Sequence, residues 1–557
     1  MAEPTRIPFA QTISTRDSTM AKDAILWNYY STNSPDGRKF TDRRFGVFSD
    51  STTPSVPAGT ALGLFAFGTH LLAVVGTTFY SDGVAHGTVD GTSQYQFTLT
   101  GAGGTAVFLK NNTNAYTWDG TTLTAITDPN YPAVTVPGVA YMDGYVFVVG
   151  TAGAVWNSNL NTPGTWNALN FIFGTQSGDP GAAVSRLYNY VVQFGANSTN
   201  FFWDAGNTPP GSPLLPNVSA VLNVGCAVGT SVVATENTIF WVGQTHQKGR
   251  SVYMMNGLSP QPISDQHIDK VLNADPLTGV YAYFLKINGQ AFYVLTLTAS
   301  NATLVYNATT HEWGRWSSTA LGKTMNASNA VVNAGVVTLT VPNHGLTNPC
   351  VILVGSTNTS PSYLGTFVPN IIDANTLSYP VNTILVGGLD SSPINSRAIN
   401  ADSVTNSANV GFGQMTVTPY VQNYFAQVFY AFANNTDYLL GATDGKVYQM
   451  RQGVSSDNGQ FIYGLLRTNA GDFGSNRMKF FSRLEVIGDK VSDTAYLGYS
   501  DNDFASFGAF RPVNLHSARS LIRRAGAARR RSFALLYIGG FQARFYDLEI
   551  DVMEGPQ

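Results

Sequence analysis

Tyr145-Val-Phe-Val-Val-Gly-Thr-Ala-Gly-Ala-Val-Trp-Asn-Ser158 is a strand, a glycine-punctuated turn and a second strand closing on an aromatic residue. Val, Tyr, Phe and Trp suit a pleated, half-buried surface, and Gly150 and Gly153 supply the backbone freedom that a tight reversal needs. The stretch reads as one β-hairpin. Variants of it recur at 71–80, 107–116, 190–203, 232–241, 292–306 and 438–448. No single copy can bury its own apolar face, so the copies must pack on one another. Their spacing of about 35 to 60 residues fits a four-stranded β-propeller blade. A solenoid of helices is excluded, because no apolar period of 3.6 residues is sustained.

Composition agrees with an all-β chain rich in turns. Of 557 residues only 12% are charged, while 55 are Gly and 26 are Pro. A net charge of -3 argues against a general nucleic-acid binder. So weakly charged a surface favours association, and much of it is expected to be covered by other subunits. Cys226 and Cys350 are far apart in sequence and read as two buried thiols, not as a disulfide. The best apolar run, 61–76, contains Gly63, Gly68 and His70 and reads as a strand pair, not a membrane span. The N-terminus lacks an apolar signal core, so synthesis in a cytoplasm without a membrane anchor is expected. The sequons at Asn301 and Asn307 then reflect turn chemistry.

Along the chain, residues 1–54 read as an ordered N-terminal arm and 55–324 as the first part of a propeller of six or seven blades. Within it, Ser264 is a candidate N-cap for a short helix carrying Ile268, Val271 and Leu272. At 325 the pattern changes: 325–400 reads as a small inserted β domain, and 401–475 as the closing part of the propeller. Residues 476–557 form a C-terminal antiparallel β region. Within that region, 511–531 hold Arg511, Arg519, Arg523, Arg524, Arg529, Arg530 and Arg531 and no acidic residue.

Three local patterns invite chemical readings that their neighbours exclude. His311-Glu312-Trp-Gly-Arg315 opens like a zinc-protease motif but has Arg where the second His ligand must stand. Gly322-Lys323-Thr324 resembles the end of a phosphate loop, yet Ser317 occupies the place of the first Gly. Ser500-Asp-Asn-Asp-Phe-Ala-Ser-Phe507 loosely resembles a sialidase box, with Phe504 for Gly and Phe507 for Trp. The arginines that such chemistry needs are few before 320, among them Arg186 and Arg250. The histidines show no metal-ligand spacing, and His344 in Asn-His-Gly reads as a turn residue tolerating positive φ. No catalytic residue, cofactor or metal site is expected. The alternative kept open is a propeller-type glycan-binding or glycan-cleaving protein.

The arginine block has three readings: a solvated surface, contact with an acidic partner protein, or contact with nucleic acid. The protein interface is favoured, because aromatic interleaving for base stacking is weak.

Several stretches together resemble the packaged-DNA stabilisation proteins, also called tail nozzle or tail hub proteins, of short-tailed bacteriophages. They are Thr15-Arg16-Asp17, Lys22-Asp23-Ala24, Asn28, Arg44-Phe45-Gly46 (Phe45 standing where Pro is common), Pro262–Asp269, His311–Trp316, Gly441–Tyr448 and Ile522–Arg529. The insert, with Val337–Leu346 and Tyr363–Phe367, is similar to a small β module of phage tail proteins. The resemblance implies a structural virion protein made in the host cytoplasm. It would be a homohexamer below the portal and adaptor rings, forming the distal tail tube that retains packaged double-stranded DNA and conducts it on ejection. It would adjoin the tail adaptor ring, with tailspike, fibre or needle proteins as further neighbours.

Overall fold

The computed structural model describes residues 5–9, 24–34, 37–174, 179–245, 247, 249–333, 335–356, 364–380 and 415–555. Thr15-Arg16-Asp17, Lys22, Asp23, Tyr363 and residues 381–414 lie outside the described residues. Strands dominate, and Gln266–Ala274 is the one α-helix among the described residues. The chain divides into two compact units, one of 49–311 with 424–451, the other of 1–48, 312–423 and 452–557. The sequence-based limits at 325, 401 and 476 do not coincide with these divisions.

The first unit is the propeller. Blade 1 comprises Ala61–Phe67, His70–Val75, Thr78–Ser81 and Val84–Thr88, joined antiparallel in chain order. Blades 2, 3 and 4 repeat the plan at 96–125, 140–172 and 181–216. In blade 5 the first strand is split: Gly225–Cys226 and Val233–Ala234 both pair with Ile239–Thr245. Blade 6 holds Val280–Ile287, Gln290–Leu297 and Ala302–Asn307; blade 7 holds Gln427–Ala433, Thr436–Gly441 and Val447–Met450. Each first strand touches the first strand of the next blade, and Gln427–Ala433 touches both Val280–Ile287 and Ala61–Phe67. The ring therefore closes with seven blades, and the last comes from the stretch after the insertion.

Six of the seven hairpin copies are the second and third strands of their blades; 232–241 instead covers the first and second strands of blade 5. The second strands are the most buried. Val146, Phe147, Val148 and Val149 are all fully covered, as are Val191 and Val192 in blade 4. Packing runs from blade to blade: Phe79 of blade 1 meets Trp118 of blade 2 with ring centroids 5.1 Å apart. Polar tethers reinforce this before blades 2, 4 and 6. There an Asp in the connecting loop accepts hydrogen bonds from the second turn of the following blade. Asp90 binds Asn111 Nδ2 at 2.8 Å, Asp179 binds Ser198 N at 2.8 Å, and Asp275 binds the Ser300 hydroxyl. The Thr92 hydroxyl and the Asn111 amide, with further neutral donors, hold the Asp90 carboxyl down to about 2.

Three local expectations need correction. Gly153 does adopt the left-handed conformation, with φ 87°, but Gly150 does not; its amide bonds Ala154 O at 2.9 Å. The helix is capped by Asp265, whose carboxylate accepts from Ile268 N at 2.9 Å, and not by Ser264, whose hydroxyl donates to Asp269 and accepts from Val252 N. At 343–345 the positive φ values belong to Asn343 and Gly345. His344 is buried, its Nδ1 accepting from Leu346 N at 3.0 Å.

In the second unit two sheets face each other across a common core. One orders Tyr29–Asn33, Lys39–Arg43, Phe545–Glu554, Lys479–Gly488 and Ser520–Arg523. Thr5–Pro8 joins it along Phe545–Glu554, and Ala527–Ala528 along Lys479–Gly488. The other carries Ile25–Trp27, Gly464–Arg467, Ser532–Tyr537, Thr494–Ser500 and Arg511–Asn514. Phe481, Leu484, Val486, Phe545, Leu548 and Ile550 of the first pack on Leu466, Leu497, Phe533, Leu535 and Tyr537 of the second. The small module has its own core of Val337, Leu339, Ile352, Val354, Phe367, Leu377 and Tyr379, to which Met415 and Val417 contribute.

Candidate partner interface

Strand alternation sends Leu484 and Val486 into the sandwich and turns Arg483 and Glu485 outward. Register then builds a charged outer face. Arg483 stands opposite Asp551 on one side and Arg523 on the other, and Glu485 stands between Glu549 and Leu521. Arg483 Nη2 donates to Glu549 at 2.9 Å and to Asp551 at 3.0 Å, and Arg6 reaches Glu549 at 3.1 Å. Arg519 grips Glu485 through Nε at 3.0 and 3.2 Å and holds that carboxyl below the ordinary carboxylate range.

The seven arginines singled out in the sequence divide into held and free. Arg531 is 1% exposed. It forks onto Asp501 at 2.6 and 2.7 Å, donates to Ala525 O, and lies over the rings of Tyr499 and Phe481 at 4.0 and 4.3 Å. It is thus withdrawn from the surface. Arg519 is exposed but committed to Glu485, Arg530 lies 3.6 Å from Asp503, and Arg511 donates to Arg524 O at 3.3 Å. Arg523, Arg524 and Arg529 are exposed and make no ion pair among the described residues.

The segment carrying them is held from below. Buried Lys479 donates to the carbonyls of Ser475, Arg477 and Arg529. Arg524 adopts φ 57° while its amide donates to Ser482 O, and Ala525 and Gly526 exchange hydrogen bonds with Phe481. Alongside, Phe480 stands opposite Met553 and Ala527, and Met478, Phe480 and Met553 are 44%, 48% and 57% exposed. Sequence reading missed this apolar group, because Met478 and Phe480 are far from Met553 in the chain and only strand register brings them together.

The three local patterns of the sequence serve structure. Glu312 begins a strand and binds the Ser31 hydroxyl and the Lys39 ammonium, and Arg315 lies over the Trp27 ring at 4.4 Å. Gly322-Lys323-Thr324 links two strands. In the box at 500–507, Asp501 is the partner of Arg531, and Ser500 accepts from Phe504 N at 3.1 Å. No group of side chains able to hold a metal ion occurs among the described residues. No helix among them is long and apolar enough to cross a membrane. Cys226 and Cys350 are free thiols that burial pushes up to about 12.

A family model described as bacteriophage P22 Gp10, beta-propeller, matches residues 63–340. The chain belongs to the phage stabilisation family. That family's propeller accounts for the repeated hairpins, and membership supports a structural component of a phage particle. No curated protein matches the chain. Similar solved structures include the computationally designed Ika8 protein, at 10% identity and TM-score 0.34, over 73% of this chain and 99% of that one. U3-55K matches at 10% identity and TM-score 0.32, over 60% and 98%. BamB from Moraxella catarrhalis matches at 7% and 0.33, over 74% and 100%. Likeness at this level identifies no activity.

Proposed function

We propose that this protein is a tail component of a short-tailed phage. Six copies form the distal tube, or nozzle, below the portal and adaptor rings, retaining the packaged duplex DNA and conducting it at ejection. The observation that carries the reading is the family match on a chain whose inner strands close into a seven-bladed ring. Its neighbours in the tail are the adaptor ring and the tailspike, fibre or needle proteins. The face with free arginines serves protein contact, not the DNA path. Each phosphate held by an arginine releases counterions and adds affinity, so a lumen ringed with them would impede sliding.

Particles made without the protein test this reading. DNA-filled heads should lose their genome on storage, and purified protein added back should stop the loss. Particles that keep their DNA and infect normally without it would exclude the retention role.

A further inference from the structure

Charge is unevenly divided along this chain. Residues 49–311 with 424–451 hold 14 acidic and 8 basic side chains, while the rest hold 20 acidic and 23 basic. The propeller unit is thus net acidic and the second unit net basic.

Much of the exposed acid falls at one end of the propeller. In a meandering four-stranded blade, the turn from first to second strand and the turn from third to fourth lie at the same end. Asp82 and Asp119 occupy the third turns of blades 1 and 2, and Asp143 and Glu236 the first turns of blades 3 and 5. All four are exposed; Asp82 lies 2.6 Å from His70 and Glu236 3.6 Å from Lys286, which with Arg186 stands at the same end, so Asp119 and Asp143 are the two without a charged partner among the described residues. Asp82-Gly83 and Asp143-Gly144 are two-residue turns with both φ positive, so these carboxylates stand on rigid hairpin tips.

The second unit carries the complementary surface. Its carboxylates Glu485, Glu549 and Asp551 are satisfied by Arg6, Arg483 and Arg519. Arg523, Arg524 and Arg529 have no such partner among the described residues, and the backbone that presents them is fixed. Beside them the exposed Met478, Phe480 and Met553 add apolar area. Arginine, Phe and Met around a small apolar centre is the composition of a protein interface, and preformed geometry lowers the ordering cost of binding.

We propose that this face, with Arg523, Arg524 and Arg529 around Phe480 and Met553, docks on the acidic turn end of the propeller of a second copy of this chain. The contact is heterologous: two different surfaces of one chain meet, so repetition generates a ring if the rotation closes. The proposal rests on the reading that copies of the chain assemble with one another.

The test uses the full-length chain and light scattering across protein concentration and salt. Wild type should assemble, with the midpoint concentration rising as salt screens the contact. Arg523→Glu/Arg524→Glu/Arg529→Glu should raise that midpoint at least tenfold while circular dichroism and melting stay unchanged. Phe480→Ser should raise it independently of salt. A second chain with Asp82→Lys, Asp119→Lys, Asp143→Lys and Glu236→Lys should also fail to assemble alone, and mixing it with the arginine variant should restore assembly. Normal assembly of the arginine variant overturns the proposal, as does failure of the mixture, or assembly unchanged while affinity for duplex DNA falls. A wild-type chain that is monomeric in isolation, yet retains DNA when added to particles, overturns this contact and leaves the tail reading standing.

Discussion

Arg44 and Asp457 form a two-pronged ion pair in the second unit, Nη1 meeting Oδ1 at 2.8 Å, with the arginine side chain wholly buried. The same guanidinium donates to Asn28 Oδ1 at 2.9 Å and to Ser317 O at 2.8 Å. Asn28 in turn donates to Tyr463 O and the Ser317 hydroxyl from a left-handed conformation of φ 57°. Asn28 and Arg44-Phe45-Gly46, which carry part of the family resemblance, therefore meet at one junction of the N-terminal segment with strands 312–321 and 456–457. Gly46 is required there, since a Cβ would come within 2.1 Å of Ser456 O.

Asp457→Ala should leave the buried guanidinium without its counterion, at a cost of roughly 3–5 kcal/mol. Urea unfolding measures it. A loss below about 1 kcal/mol would mean that the backbone carbonyls alone satisfy Arg44.

Gly138 holds the close approach of blades 3 and 4. It has φ 94°, and a Cβ would come within 2.0 Å of Val184 O. Gly138→Ala combines left-handed strain with steric overlap and should cost roughly 2–4 kcal/mol. Thermal unfolding should show a lowered midpoint, and an unchanged one would contradict the packing described for this junction.

Lys110 lies fully buried between blades 2 and 3, its ammonium donating to Val136 O at 2.6 Å and Gly138 O at 3.2 Å, and desolvation lowers its pKa to about 7. The unfolded chain keeps an ordinary lysine near 10.5, so between pH 7 and 10.5 it binds more protons than the folded chain. The lysine's contribution therefore becomes more favourable as pH rises from 7 to 10.5 and is least favourable below 7. Lys110→Met removes the titration. The stability of wild type relative to that variant should increase from pH 7 to pH 10, and a flat or falling difference would contradict it.

The propeller was legible in the sequence because the second strands are largely apolar on both faces and a short turn joins each to the third, as in 145–158. Outer strands such as Thr162–Ile172 alternate weakly and leave Leu169 and Phe171 exposed, which gave little signal. In blade 5 the split first strand moved the apparent repeat by one strand. A sharper local signal lay in Asp82-Gly83, Asp143-Gly144 and Asn288-Gly289, dipeptides suited to two-residue turns with both φ positive. The arginine block was visible as composition, but its division into held and free members was not. Arg531 finds Asp501 30 residues away, and Arg519 finds Glu485 34 residues away, so the sorting depends on strand register.

The proposed role places this seven-bladed propeller protein in the distal tube of a phage tail. Cryo-electron microscopy of the intact virion tests it most directly. The account predicts a ring of copies at the far end of the tail, each with a seven-lobed propeller, around an axial channel wide enough for duplex DNA. A tail tip without such propellers, or the protein bound singly as a side appendage, would contradict it.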